Sequence, residues 1–247
     1  MILPSRIDDW LRQALRRKGY VFMRRTNPYH YLGRRLMLMR SYGIDLVLDV
    51  GANTGQYAKL LRKLGYQGEI VSFEPMRAPF LELLRNCEND AAWSCRDYAL
   101  GDVEGVERIH VSGNSVSSSI LPMLAEHERH APASHVIAQE EIAVRRLDAL
   151  PDWLGWSGRS IWLKIDVQGY EEQVLAGAAA HQDKIKAIQV ELSLRPLYSQ
   201  QLTMLPMLKR LDELGFDPVA FEPGFADMTT GEYLQVDGIF RNRRAGT

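Results

Sequence analysis

The chain has 247 residues, 46% hydrophobic and 25% charged, with a formal net charge of −1. Such values suit one large α/β domain with room for a substantial core, and they argue against a dedicated nucleic-acid binder. No apolar run approaches the ~20 residues that span a bilayer, and the two cysteines, Cys87 and Cys95, show neither metal nor redox spacing.

The near-neutral total hides an asymmetry. Residues 1–44 carry ten Arg or Lys (among them Arg6, Arg16, Arg17, Lys18, Arg24, Arg25 and Arg35) against only Asp8 and Asp9, which leaves the rest near −9. Ile7, Trp10, Leu11, Ala14 and Leu15 recur at helical spacing, so 5–18 reads as a basic amphipathic helix. A second helix is expected over 31–42, with Leu32, Leu36 and Met39 facing inward. One reading packs both helices over the core with their arginines solvated. The other docks residues 1–44 onto an anionic membrane surface or a phosphate-bearing substrate. The opening Met-Ile-Leu-Pro-Ser-Arg lacks the order of a signal peptide, so a cytoplasmic location is the default, with peripheral contact at the inner membrane surface as the extension of the docking reading.

From residue 45 strand and helix signals alternate, which predicts a parallel sheet with helices on both faces. Strand 46–50 leads to a helix over 55–64, and strand 69–73 to a helix near 77–86. A strand over 93–100 and another over 106–111 follow. Residues 112–139 break the rhythm with Ser-Gly-Asn-Ser-Val-Ser-Ser-Ser and a His- and Pro-containing stretch, as a functional or mobile segment does. Strand 160–166, helix 170–178, strand 186–192, helix 202–214 and strands near 217–221 and 234–240 complete the pattern.

The first strand runs into Asp49-Val-Gly-Ala-Asn-Thr-Gly-Gln-Tyr57, a glycine turn that opens a helix, and the second ends on Glu74-Pro75. That is a nucleoside-binding layout: glycines allow close approach, and the acid accepts from ribose hydroxyls. A dinucleotide fingerprint would read G-x-G-x-x-G, with the pyrophosphate against backbone N–H groups. Here Asn53 replaces the middle glycine, and Asp49 would repel a pyrophosphate but welcome an ammonium. S-adenosylmethionine, with an ammonium and no phosphate, fits this turn better.

Ligands of open α/β sheets sit beyond the carboxyl ends of the strands. Asp49, Glu74, Asp97, Asp166 and Glu191 end successive strands. Any one of them is an ordinary cap or loop acid, whereas five in succession favour a site. Lys164 lies on the same side of its strand as Asp166 and can hold that carboxylate ionised.

Together these segments resemble the FkbM family of S-adenosylmethionine-dependent methyltransferases. The resemblance rests on the Asp49–Tyr57 motif, Phe73-Glu-Pro75, Ala99-Leu-Gly-Asp102, Ser117–Ser119, Val144–Asp148, Leu163-Lys-Ile-Asp-Val-Gln-Gly-Tyr-Glu171, Gln189–Leu192 and Gly231–Phe240. It spans about 45–241, which divides the chain into a basic helical extension (1–44) and a methyltransferase domain (45–247). It implies a Rossmann-like class I α/β fold, a mostly parallel seven-stranded sheet with the last strand antiparallel. It also implies O-methylation of a sugar, glycolipid or related hydroxyl. Gly51, Asn53 and Gly55 would cradle the methionine end, Glu74 the ribose and the Asp97–Ala99 turn the adenine, with Asp49 and Tyr57 in the same cofactor set.

Methyl transfer to oxygen needs an aligned nucleophile and a destination for its proton. Asp166 is the expected catalytic carboxylate, with Glu191 assisting from the next strand. Both are also oxygen ligands of a kind Mg²⁺ accepts, but two carboxylates do not establish a metal and none is predicted. His30, Ser118, His127 and Tyr198 are the candidates for the acceptor side, where a small-molecule, glycan or lipid-linked substrate would sit. Two alternatives stay open. One is an N-methyltransferase on the same fold, although Ile165-Asp-Val-Gln-Gly lacks the proline turn usual for amine acceptors. The other is a non-catalytic cofactor-binding module that docks through its basic arm.

Overall fold

A computed structural model describes residues 13–20 and 23–244. Of the basic helix expected over 5–18, residues 13–17 are helical, and 5–12 lie outside the described residues. Helix α1 (Tyr31–Ser41) follows, then β1 (Leu46–Val50), α2 (Gln56–Leu64), β2 (Glu69–Phe73), α3 (Arg77–Cys87), β3 (Trp93–Arg96), β4 (Ala99–Leu100) and β5 (Gly105–Ser112). Beyond them lie α4 (Ala125–His130), β6 (Val136–Arg145), β7 (Ile161–Ile165), α5 (Glu171–Gly177), β8 (Ile185–Ser193), α6 (Met204–Glu213), β9 (Phe216–Pro223) and β10 (Gln235–Asn242).

Seven strands form the main sheet in the order β3-β2-β1-β7-β8-β10-β9. β1 pairs in parallel with β2 and β7, and β10 runs antiparallel to both β8 and β9. This is the class I methyltransferase architecture, preceded by a helical region. Alternation along β1 explains the layers. Leu46, Leu48 and Val50 point to one face, where they join Val174, Leu175, Met207 and Leu211. Val47 points to the other, with Trp162, Ala187, Ile239 and the inward faces of α1 and α2. In α1, Leu32, Leu36 and Met39 are buried, the stripe that helical periodicity predicts. Among the described residues no helix is long and apolar enough to cross a membrane.

Two expectations need correction. The single strand expected over 93–100 breaks at Asp97: β3 stays in the main sheet, while Ala99 and Leu100 leave it to pair in parallel with Val144 and Arg145. A second, three-stranded sheet in the order β4-β6-β5 results. Its strand β6 occupies the end of the segment read as irregular, because Val136–Gln139 face solvent and only Ile142 and Val144 alternate inward. The remainder of that segment is held together. Ser118 Oγ accepts from Ser112 N (3.0 Å), Asn114 Nδ2 donates to Ser117 Oγ (3.0 Å), and Ser119 Oγ donates to Gln168 O (2.7 Å).

The sulfurs of Cys87, at the end of α3, and Cys95, in β3, lie 3.6 Å apart.

Candidate active site

The carboxyl ends of β1, β2, β7 and β8 converge on three adjoining cavities. The first, about 550 Å³, lies between the main sheet and the small one and is lined by Gly51, Glu74, Met76, Ala99, Ile109 and Ile142 among others. Its roof is apolar because Ile109 of β5 and Ile142 of β6 pack with Met76. The second, about 1000 Å³, opens between the glycine turn and α1 and is lined by Arg35, Asn53, Gln56, Tyr57, Lys164 and Asp237 among others. The third, about 640 Å³, is lined by His127, Gln168, Glu191, Phe225 and Gln235 among others. Asp166 and Val116 border all three. A group bound at that junction reaches each cavity.

The glycine turn is shaped from below. Gly51 has φ +75, and a Cβ there would sit 1.9 Å from the Asp166 carbonyl oxygen, so only glycine fits. Lys164 Nζ donates to Gly51 O (3.0 Å) and pairs with Asp49 Oδ1 (3.1 Å) and Asp166 Oδ2 (3.6 Å). Burial disfavours that ammonium, but Asp49 and Asp166 outweigh it and hold the pKa above the ordinary lysine value. Asp49 itself is fully buried, accepts from Ser72 Oγ (3.1 Å) and does not reach the cavities' lining. Its place is under the turn, as counter-charge to Lys164. Gly55 likewise lies outside the lining, and a Cβ there would meet the Trp93 ring at 2.6 Å, so helix packing demands this glycine.

Glu74 closes the turn from β2. Its Oε2 accepts from Asn53 N (2.8 Å) and its Oε1 from Met76 N (2.9 Å), so each oxygen keeps a lone pair toward the first cavity. Burial pushes its pKa up to about 7 despite those two backbone donors. Asn53, at φ 48, also donates from Nδ2 to Ser115 Oγ (3.2 Å) and accepts at Oδ1 from Thr54 N (2.9 Å). Ala99 lines the first cavity, whereas Asp97 is exposed at the corner between β3 and β4 and is absent from the lining. The Tyr57 hydroxyl is fully engaged: it donates to Gln189 Oε1 (2.7 Å) and accepts from Trp162 Nε1 (3.1 Å).

Asp166 and Glu191 are tied by a residue that the motif reading passed over. Gln168 Nε2 donates to Asp166 Oδ1 (2.8 Å) and to Glu191 Oε2 (2.9 Å), and Gln235 Nε2 also donates to Glu191 Oε2. The signal was its place inside the Lys164–Glu171 motif. Burial, then repulsion from Asp166 and Glu171, drives the Glu191 pKa well above the usual carboxylate range. Among the described residues no group of three or more His, Cys, Asp or Glu side chains could hold a metal ion.

The four acceptor-side candidates separate. His127 lines the third cavity with Nδ1 buried and unpaired, and burial holds its pKa below the ordinary value, so it is neutral. Ser118 lines the first cavity instead, its hydroxyl bonded within its own loop. Tyr198 is wholly buried, and its hydroxyl lies 2.9 Å from Ser117 O and 2.8 Å from Gln168 Oε1, donating to one of them. His30 is the N-cap of α1, its Nδ1 accepting from Leu32 N (3.2 Å), and it lines none of the three cavities.

The raised carboxyls make a stability prediction. Glu74, Glu171 and Asp237 each rise to about 7, and Glu191 is raised as well, so the folded state binds more protons than the unfolded one above pH ~4.5. The stability these groups contribute is fully present below that point and is lost as pH rises through about 7. Neutral His127 opposes the trend below pH ~6.5, as one group against four. The ligand-free protein should therefore melt several degrees lower at pH ~8 than at pH ~5.5, since about 1 kcal/mol moves Tm by about 2–4 °C at this size. Calorimetric melts across that range check this, and a flat or rising Tm would contradict it.

A model of the FkbM methyltransferase domain matches residues 49–218. The 2-O-methyltransferase NoeI of Sinorhizobium fredii (strain NBRC 101917 / NGR234) is 26% identical over 176 residues, covering 67% of this chain and 70% of that protein. Among solved structures, Burkholderia thailandensis 1,6-didemethyltoxoflavin-N1-methyltransferase with S-adenosylhomocysteine bound is 10% identical at a TM-score of 0.45, covering 98% of this chain and 91% of that one. The Synechocystis PCC 6803 magnesium protoporphyrin IX methyltransferase with bound SAM is 11% identical at 0.45, covering 85% and 77%.

Proposed function

Since this chain belongs to the FkbM family of S-adenosylmethionine-dependent methyltransferases, we propose that it methylates a hydroxyl of a sugar, glycolipid or related natural product. The observation that carries the reading is the position of Asp166 where the three cavities meet. The relative NoeI, a 2-O-methyltransferase by name, supports oxygen as the acceptor atom.

In this reading the adenosine half of the donor occupies the first cavity. Glu74 receives the ribose hydroxyls on its free lone pairs, and Met76, Ala99, Ile109 and Ile142 enclose the adenine. Gly51 and Asn53 border the methionine half, and Asp49 acts through Lys164 by fixing the turn. Tyr57 is a wall, and Asp97 and Gly55 shape the backbone around the site. S-adenosylmethionine supplies an electrophilic methyl group on a sulfonium.

The acceptor enters the third cavity. There Asp166 orients its hydroxyl and takes its proton as the new ether forms. A carboxylate is a modest base for an aliphatic alcohol, so most of the rate comes from alignment. Gln168 holds Asp166 and Glu191 in register, while neutral His127 offers an acceptor for a second substrate hydroxyl. In its protonated form Glu191 can orient the acceptor beside Asp166 while its Oε2 goes on accepting from Gln168 and Gln235.

Glu191→Gln mimics that protonated form and should keep methyl transfer within about tenfold of wild type, whereas removal of a true base costs about 10²–10⁴-fold. Steady-state kinetics of the Gln and Ala variants decide: equal, near-complete losses would restore Glu191 as a base.

Residues 1–44 form, in the same reading, an extension that contacts an anionic surface or a lipid-linked acceptor through exposed Arg16, Arg17, Lys18, Arg24 and Arg25. The direct test is isotope-labelled S-adenosylmethionine with a panel of free, nucleotide-linked and lipid-linked sugars beside amine acceptors. Label recovered as a methyl ether supports the proposal. Label on nitrogen, or on nothing in the panel, counts against it.

A further inference from the structure

Helix α1 carries a basic residue that does not behave like its neighbours. Arg35 is buried, its Nε donates to Glu222 Oε1 (3.1 Å), and its Nη2 pairs with Glu222 Oε2. The guanidinium lies over the Tyr57 ring, 4.9 Å from its centroid. Both faces of contact hold the fork in one orientation. Nη1 alone has no partner, and a buried charged donor left unpaired bears its full desolvation cost. The residue lines the second cavity, the one that continues from Gly51 and Asn53 along α2.

The charges around that cavity select its ligand. Arg35 and Lys164 are the buried cations among the described residues, and each already faces carboxylates: Glu222 for the first, Asp49 and Asp166 for the second. Asp237 is a further acid on the same wall. A free anion would meet this acidic surplus, and a free cation would leave Nη1 unpaired. A zwitterion satisfies both, with its ammonium toward Asp237 and its carboxylate toward Arg35. From these groups we infer that Arg35 Nη1 holds the α-carboxylate of the donor's methionine half, making α1 a working part of the donor site. Helix α1 lies outside the 49–218 family match. The inference rests on the reading of S-adenosylmethionine as donor.

Two adenosine thioethers separate the halves: S-adenosylhomocysteine carries the amino-acid tail, and 5′-methylthioadenosine lacks it. Calorimetric titration of the full chain should show the former binding at least about tenfold more tightly to wild type, as a charge-assisted hydrogen bond gives. Arg35→Lys keeps a cation beside Glu222 but removes the fork. It should weaken S-adenosylhomocysteine by about tenfold or more and change 5′-methylthioadenosine by less than about twofold. Equal weakening of both ligands would make Arg35 merely structural, and no change in either would leave Nη1 without this ligand; both results overturn the inference. A measurement on wild type alone covers a variant that fails to fold: decarboxylated S-adenosylmethionine should bind at least about tenfold more weakly than the intact donor, and equal affinity overturns the inference. Failure of wild type to bind any of these adenosine compounds overturns the donor reading as well, whereas equal binding of all of them overturns only the role of Arg35.

Discussion

Asp166→Asn should lower methyl transfer by about 10²–10⁴-fold, the usual worth of a positioned general base, while donor affinity stays within about threefold. The substitution is nearly isosteric and removes only charge and basicity. Lys164 keeps its shorter pairing with Asp49 at 3.1 Å, so the glycine turn below the donor keeps its support. Gln168 can still donate to the asparagine oxygen, so Glu191 stays in register. What is lost is, among the described residues, the one carboxylate that borders all three cavities. Single-turnover transfer, measured beside donor titration, tests both halves of the statement. Undiminished transfer would remove Asp166 from the chemistry, and loss of donor binding would move its role to the cofactor.

Glu74→Ala should weaken donor binding by about 10²-fold or more, because two hydrogen bonds to one carboxylate are removed together and each charged bond is worth about 1.5–3 kcal/mol. The damage extends to the turn, since Asn53 N and Met76 N both lose their acceptor. A pH signature accompanies it. With its pKa pushed up to about 7, Glu74 is largely protonated in slightly acid solution and becomes a full acceptor only as pH rises through that value. Donor affinity of the wild type should therefore fall as pH drops below about 7. Glu74→Gln should bind weakly with a flatter profile, and an unchanged slope in that variant would assign the pH dependence to another group.

The geometry of the Gly51–Glu74 turn was legible in the sequence, for a physical reason. The turn at Gly51, the left-handed Asn53 and the acid ending β2 are local consequences of a strand–turn–helix followed by a second strand, so short motifs encode them. Long-range contacts are different. Arg35 reads as one more exposed arginine on an amphipathic helix, because its partner Glu222 lies 187 residues away. The small sheet stayed invisible because β6 shows its inward alternation only at Ile142 and Val144, and the roof of the first cavity went with it. Asp97 does directly follow the end of β3, but the corner there turns it to solvent. Tyr198 and His30 were polar aromatics whose donors or acceptors the fold had already used.

The deciding property of the Gly51–Glu74 crevice is which nucleoside it accepts. Calorimetric titration of the wild-type chain with S-adenosylmethionine and, separately, with NADH answers that. Saturable one-site binding of S-adenosylmethionine with no heat from NADH is the predicted result. Binding of NADH, or of neither, would contradict the donor assignment and every role built on it.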